Sequence, residues 1–189
     1  MLERIGFFVL VALFATERLV ELGLTRRNLG ARRREAGAAG RGNFARMVSL
    51  HAALLVLPPI EVLLRDTAVP PALFWSCAMV LLLAQALRWW SIASLGRAWN
   101  VRAVVDPELG FVQRGPYRWM RHPNYLAVVL EFLALPAAGG AWISWARVNA
   151  LHAPVLRRRI DAEERELREV PGYAQAMGAK GGLWPRRAS

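Results

Sequence analysis

The stretch Gly115–Pro136 reads GPYRWMRHPNYLAVVLEFLALP. A glycine-proline turn, three aromatic residues, three arginines or histidines and a second proline lead directly into an apolar run. Proline is favoured in the first helical turn, where its missing amide hydrogen leaves nothing unpaired, so Pro123 marks the start of a helix. His122, Asn124 and the two tyrosines, Tyr117 and Tyr125, then sit at the mouth of that helix, where backbone amides and the helix dipole favour anions. The apolar run continues to about Leu156, too long for one bilayer crossing of about twenty residues. Gly139 and Gly140 interrupt it with a turn signal, which predicts a helical hairpin.

Working outward, three more apolar runs precede this one, from about Ile5 to Leu24, Val48 to Leu64 and Pro71 to Trp90. With the hairpin they predict an all-α, polytopic membrane protein of five transmembrane helices. The N-terminal run starts like a signal peptide, but Glu17, Arg18 and Glu21 stand where small cleavage-site residues belong, so it reads as retained. After the hairpin, RRRIDAEERELREV carries charges of both signs and reads as a cytoplasmic helix closed by Pro171 and Gly172.

Composition supports the membrane class. Hydrophobic residues make up 55% of the 189, yet the formal net charge is +11 and the pI about 11.4. Nucleic-acid binders and small inner-membrane proteins share such a balance. Here the arginines fall in blocks between apolar runs, which argues for the membrane and against a nucleic-acid partner. Positively charged short loops remain cytoplasmic. The loops holding Arg26, Arg27, Arg32, Arg33, Arg34, Arg41 and Arg46, and then Arg97, Arg102, Arg114, Arg118 and Arg121, together with the basic tail, place the N-terminus outside and the C-terminus inside the cytoplasmic membrane. The lone cysteine, Cys77, excludes an internal disulfide and a cysteine-based metal site.

Ionisable groups inside spans are costly and usually face other helices or water. Glu17, Arg18, Glu61 and Arg147 are equally well read as structural ion pairs or as side chains reaching the interface, and His152 as an interfacial group at a helix end. Glu131 lies two turns inward from Asn124 and is expected to face the bundle, where it could line a cavity. An interfacial aromatic and basic belt explains Arg118, Trp119 and Met120, but it requires no fixed order of histidine, proline and tyrosine.

That order resembles a known pattern. GPYRWMRHPNY resembles the signature of the isoprenylcysteine carboxyl methyltransferase family, and RRRIDAEEREL followed by PGYAQAM resembles its C-terminal motif. The N-terminal RLVELGLTRRN and MVSLHAALLVLPPIE resemble the bacterial branch whose members include alkylpyrone and alkylresorcinol O-methyltransferases. The resemblance implies one integral-membrane domain over 1–189, with N-terminal transmembrane helices in 1–95 and a cofactor-binding half in 96–189.

It further implies S-adenosylmethionine as cofactor, bound by Tyr117, His122, Pro123, Asn124, Tyr125 and Glu163, with Leu109, Gly110, Phe111 and Val112 shaping the pocket and Arg102 a further contact. Tyrosine faces suit a sulfonium and an adenine. No GxGxxG follows a strand, so a Rossmann domain is not expected. Arg159 would position a lipophilic or lipidated acceptor drawn from the bilayer. A prenylated carboxylate, an amine headgroup and a polyketide-lipid hydroxyl remain open, and the branch resemblance favours the last, with a polyketide synthase pathway as partner. A carboxylate acceptor needs no base. For a phenol or enol, His51 and Glu131 are both candidate bases, and the residues do not choose between them. An anionic-lipid-binding protein without catalysis is the reading from another class, but it gives Glu163 and Glu164 no purpose beside Arg159.

Overall fold

The computed structural model describes residues 1–30, 38–66, 68–101 and 110–185; the side chains of 29–30 and 38–43 lie outside that description. Arg102 and Leu109, and the arginines at 32–34, therefore fall outside the described residues. Over the described residues the chain is all-helical: α1 (Leu2–Gly30), α2 (Ala38–Arg65), α3 (Pro71–Leu95), α4 (Pro123–Ala138), α5 (Trp142–Arg168) and a short α6 (Tyr173–Met177), with single 3-10 turns at Gly96–Ala98 and Gly115–Arg118. Prolines set two of the starts: Pro71 opens α3 and Pro123 opens α4, each without a side-chain cap.

Among the described residues two helices are long and apolar enough to cross a membrane, Phe44–Arg65 and Pro71–Ala98, and Pro123–Ala138 is a shorter apolar helix. Their outward faces match that reading. Leu63, Leu82 and Leu83 are exposed, as is Leu151 on α5, and a helix apolar on every side belongs in a bilayer or a large core. Inside, Phe7, Phe14, Leu54, Phe74, Leu81, Phe132, Leu135 and Val148 form one core drawn from α1 to α5.

Residues 139–141 turn the chain between α4 and α5. Gly140 takes φ 67° there, a left-handed conformation that glycine adopts without a Cβ penalty. From the N-terminus of α5 the amides of Ile143 and Ser144 donate to the Glu61 carboxylate of α2, at 3.1 and 2.7 Å. Glu61 thus caps a helix distant in sequence, satisfying amides that α5 cannot bond itself.

Two expectations are corrected. The charged segment after the last apolar run is not a separate helix, because α5 runs unbroken from Trp142 to Arg168 and carries both. His152 consequently falls in mid-helix and is buried, its ring stacked on Phe132 at 3.8 Å.

A buried ion cluster ties α1, α3 and α4 together. Arg88 makes a two-pronged contact with Glu21 and lies 3.6 Å from Glu131. Arg18 reaches Glu17, Glu21 and Glu131 at 3.0–3.2 Å, and Gln85 donates to Glu131 at 3.2 Å. Desolvated charges of this kind persist only when closely paired.

Candidate active site

The motif before α4 folds around Gly115, whose φ is 59°. A Cβ on that residue would overlap the Ser94 hydroxyl and lie 3.1 Å from the Trp90 indole nitrogen. The turn therefore presses directly on α3 and sends Tyr117 inward, where it is buried. The stretch that follows is held by the C-terminal segment: the Arg121 amide donates to the Gly181 carbonyl at 2.9 Å and the His122 amide to that of Gly182 at 3.1 Å. The amides of Tyr125 and Leu126 donate to the His122 carbonyl. The helix mouth is thus less open to anions than the sequence implies, since protein oxygens already occupy these donors.

Two acidic residues of α5 divide the motif between them. Glu164 accepts from His122 Nε2 at 2.6 Å, from the Arg121 guanidinium at 3.0 Å and from the Tyr173 hydroxyl at 3.1 Å. Burial alone would raise its carboxyl, but the hydrogen bond and charge of His122, with Arg121 and Tyr173, outweigh that and hold it below the ordinary range. Glu163 instead accepts from the Tyr125 hydroxyl. That hydroxyl also accepts from Arg159 Nε at 2.9 Å, and the Arg159 guanidinium donates onward to the Val101 carbonyl. Arg159 and Glu163, one turn apart on α5, are therefore linked through Tyr125.

These groups border a cavity of about 460 Å³. At one end are Gly110, Phe111, Val112, Tyr117, Arg121, His122, Asn124 and Tyr125, with Arg159, Glu163, Leu167, Tyr173 and Met177 across from the C-terminal helices. Burial, and then the negative charge of Glu163, push the Tyr117 hydroxyl far above its usual range, so it remains a donor. The Tyr173 hydroxyl is raised likewise, by burial and by Glu164. The cavity continues between α1 and α2 along Ala15, Leu19, Leu22, Val48, Ala52 and Leu55, with His51, Arg18, Glu21 and Arg88 also at its wall.

Of the residues singled out in the sequence, Tyr117, His122, Asn124, Tyr125, Arg159, Glu163, His51 and Gly110 to Val112 border one cavity. Pro123 is fully buried at the first turn of α4 and does not border it. Glu131 does not border it either; only 1% exposed, it is held by Arg18, Arg88 and Gln85. Arg121, Glu164 and Tyr173 were not foreseen as site residues. Tyr173 lies in the recognised C-terminal motif, but which of the adjacent acids, Glu163 or Glu164, meets which partner depends on the helix's rotation and left no trace in the sequence.

A bundle of apolar helices around a mixed polar and apolar cavity defines a class, helical proteins with an internal ligand-sized site, and comparison with known proteins narrows it. The model of the isoprenylcysteine carboxyl methyltransferase (ICMT) family matches residues 77–169. Over 165 residues the chain is 32% identical to a protein of Bacillus subtilis (strain 168) bearing the name "Uncharacterized protein YpbQ", covering 86% of this chain and 97% of that relative. The chain belongs to the isoprenylcysteine carboxyl methyltransferase family.

Proposed function

We propose that the protein is an S-adenosylmethionine-dependent O-methyltransferase acting on a lipophilic acceptor, either a carboxylate or the hydroxyl of a polyketide lipid, taken from the cytoplasmic membrane. The observation that carries this reading is the cavity that joins the aromatic and charged motif to an apolar compartment between α1 and α2. Such a space suits two ligands of unlike chemistry, a polar cofactor and a lipid-borne acceptor.

The polar end fits the cofactor in kind. Tyr117 and Phe111 offer ring faces for a sulfonium and an adenine. Among the described residues, buried Nε of Arg121 and Oδ1 of Asn124 have no hydrogen-bond partner, so one donor and one acceptor are available for a carboxylate and an ammonium. Glu163 offers an acceptor to ribose hydroxyls. When bound, S-adenosylmethionine supplies an electrophilic methyl group on a cationic sulfur. The chain's own contribution is alignment and exclusion of water: Arg159 is fixed by Tyr125 and Val101, and the compartment that continues from it between α1 and α2 is lined mainly by apolar side chains.

Glu163 on the cavity wall beside Arg159 also weighs against a protein that merely binds anionic lipid, since a carboxylate there would oppose such a ligand. The test is transfer of label from methyl-labelled S-adenosylmethionine, by detergent-purified protein, into lipid extracted from the producing cells. Label in one lipid species supports the reading, and none above a His122→Ala control contradicts it.

A further inference from the structure

The segment that follows α3 is fastened to the C-terminal end of α1. Asn28 Nδ2 donates to the Trp99 carbonyl at 2.7 Å and to that of Gly96 at 3.3 Å. The hydroxyl of Thr25, a residue only 5% exposed, accepts from the Val101 amide at 3.1 Å. Thr16 of the same helix donates to the carbonyl one turn before it, Ala12, at 2.9 Å, as helical threonines commonly do; Thr25 instead accepts from a different segment of the chain. That segment is part of the site, because Leu95, Ala98, Trp99, Asn100 and Val101 all border the cavity.

Val101 is gripped from both sides. Its amide donates to Thr25, and its carbonyl accepts from the Arg159 guanidinium. Arg159 therefore has two fixed points. One is the Tyr125 hydroxyl, 2.9 Å from Nε, in the motif that opens α4; the other is the Val101 carbonyl, held from α1. A guanidinium is a planar fork, so tying two of its nitrogens sets where the rest of it points. That direction depends on Thr25 and Asn28, neither of which borders the cavity. Leu19 and Leu22 of α1 do border it, so this helix lines the apolar compartment with one stretch and anchors Arg159 one turn further on.

We infer that Thr25 and Asn28 are positioning residues: by holding residues 96–101 they keep the Val101 carbonyl where it orients Arg159 toward the acceptor. The inference rests on the methyltransferase reading above. Methyl transfer is an in-line displacement, and a small misplacement of a group that orients the acceptor costs rate. The cofactor motif keeps its own contacts with Glu163, Glu164 and the C-terminal segment. Breaking the link to α1 is therefore expected to lower turnover without lowering cofactor affinity, and to do so only while Arg159 is present.

The test uses the full chain in detergent and follows label from methyl-labelled S-adenosylmethionine into saturating lipid extract of the producing cells. Thr25→Val keeps the side chain's shape and removes the hydroxyl; Asn28→Asp keeps the shape and removes both donors. Each should lower kcat at least about tenfold while binding S-adenosylhomocysteine as wild type does. Thr25→Ser, which restores the hydroxyl, should recover turnover to within about threefold of wild type. In the Arg159→Ala background, Thr25→Val should change turnover less than about threefold further, because the two substitutions break one linkage. Turnover by Thr25→Val within about threefold of wild type, an undiminished loss in the Arg159→Ala background, Thr25→Ser as impaired as Thr25→Val, or lost S-adenosylhomocysteine binding in both Thr25→Val and Asn28→Asp would each overturn the proposal. If wild type transfers no label, the methyltransferase reading falls, and hydrogen exchange over residues 96–101 still decides the linkage. Exchange there should quicken in Thr25→Val and also in Arg159→Ala, and exchange unchanged by Arg159→Ala would show that Val101 does not join the two.

Discussion

Glu164 joins three parts of the chain: it receives hydrogen bonds from His122, Arg121 and Tyr173. Its carboxyl lies below the ordinary value of 4.5 in the folded protein. A carboxyl depressed on folding adds stability above its unfolded value, and that stability disappears as pH falls through the folded value. The Glu164→Gln variant lacks this contribution. At neutral pH it should be less stable than wild type by about 1–3 kcal/mol, as for a buried charged acceptor with several donors. The gap should close as pH is lowered from 4.5, because wild type then loses what the variant never had. Thermal unfolding in detergent at neutral pH and again well below the carboxylate range measures it, and a gap that persists undiminished in acid would remove Glu164 from this role. At this scale the sequence was only partly legible. His122 and Tyr125 could be picked out because their order around a proline is unusual for an interfacial belt, and Tyr117, Arg159 and Glu163 because the family resemblance implies them, whereas Arg88 was not. An arginine beside two tryptophans at the end of an apolar run resembles an interface anchor, and the carboxylates that bury it come from two other helices.

The elements were more legible where local chemistry sets them. Pro123 opens α4, and the glycine pair ends the apolar run where the turn is found. What could not be read was non-local: the cap that Glu61 gives α5 from another helix, and the continuity of α5 through a change from apolar to charged composition. A helix backbone has no need to stop where its surroundings change. The Gly115 turn is the element on which the site most depends. Alanine there meets a left-handed φ of 59° and a clash with the Ser94 hydroxyl. Strain of about 1–2 kcal/mol from the backbone and about 1–3 kcal/mol from overpacking should add. Gly115→Ala should therefore unfold several degrees earlier than wild type and displace Tyr117, lowering cofactor affinity as well. An unchanged melting temperature would show that the turn relaxes freely.

For the molecule as a whole, five helices of sixteen residues or more among the described residues surround one cavity, and charge is distributed in blocks along the chain. The arginine-rich segments that precede α2 and α4, together with the C-terminal tail, set the proposed orientation, with the cofactor end of the cavity on the cytoplasmic side. A C-terminal reporter should accordingly be active only in its cytoplasmic form; activity only in the periplasmic form would reverse the topology. The central claim is that the motif end of the cavity holds an S-adenosyl cofactor. Calorimetric titration of the detergent-purified full chain with S-adenosylhomocysteine, alongside Glu163→Gln, tests it most directly. The account predicts saturable one-to-one binding by wild type, weakened about tenfold or more in the variant because a charged acceptor is lost. No binding by wild type, or equal affinity in both proteins, would contradict it.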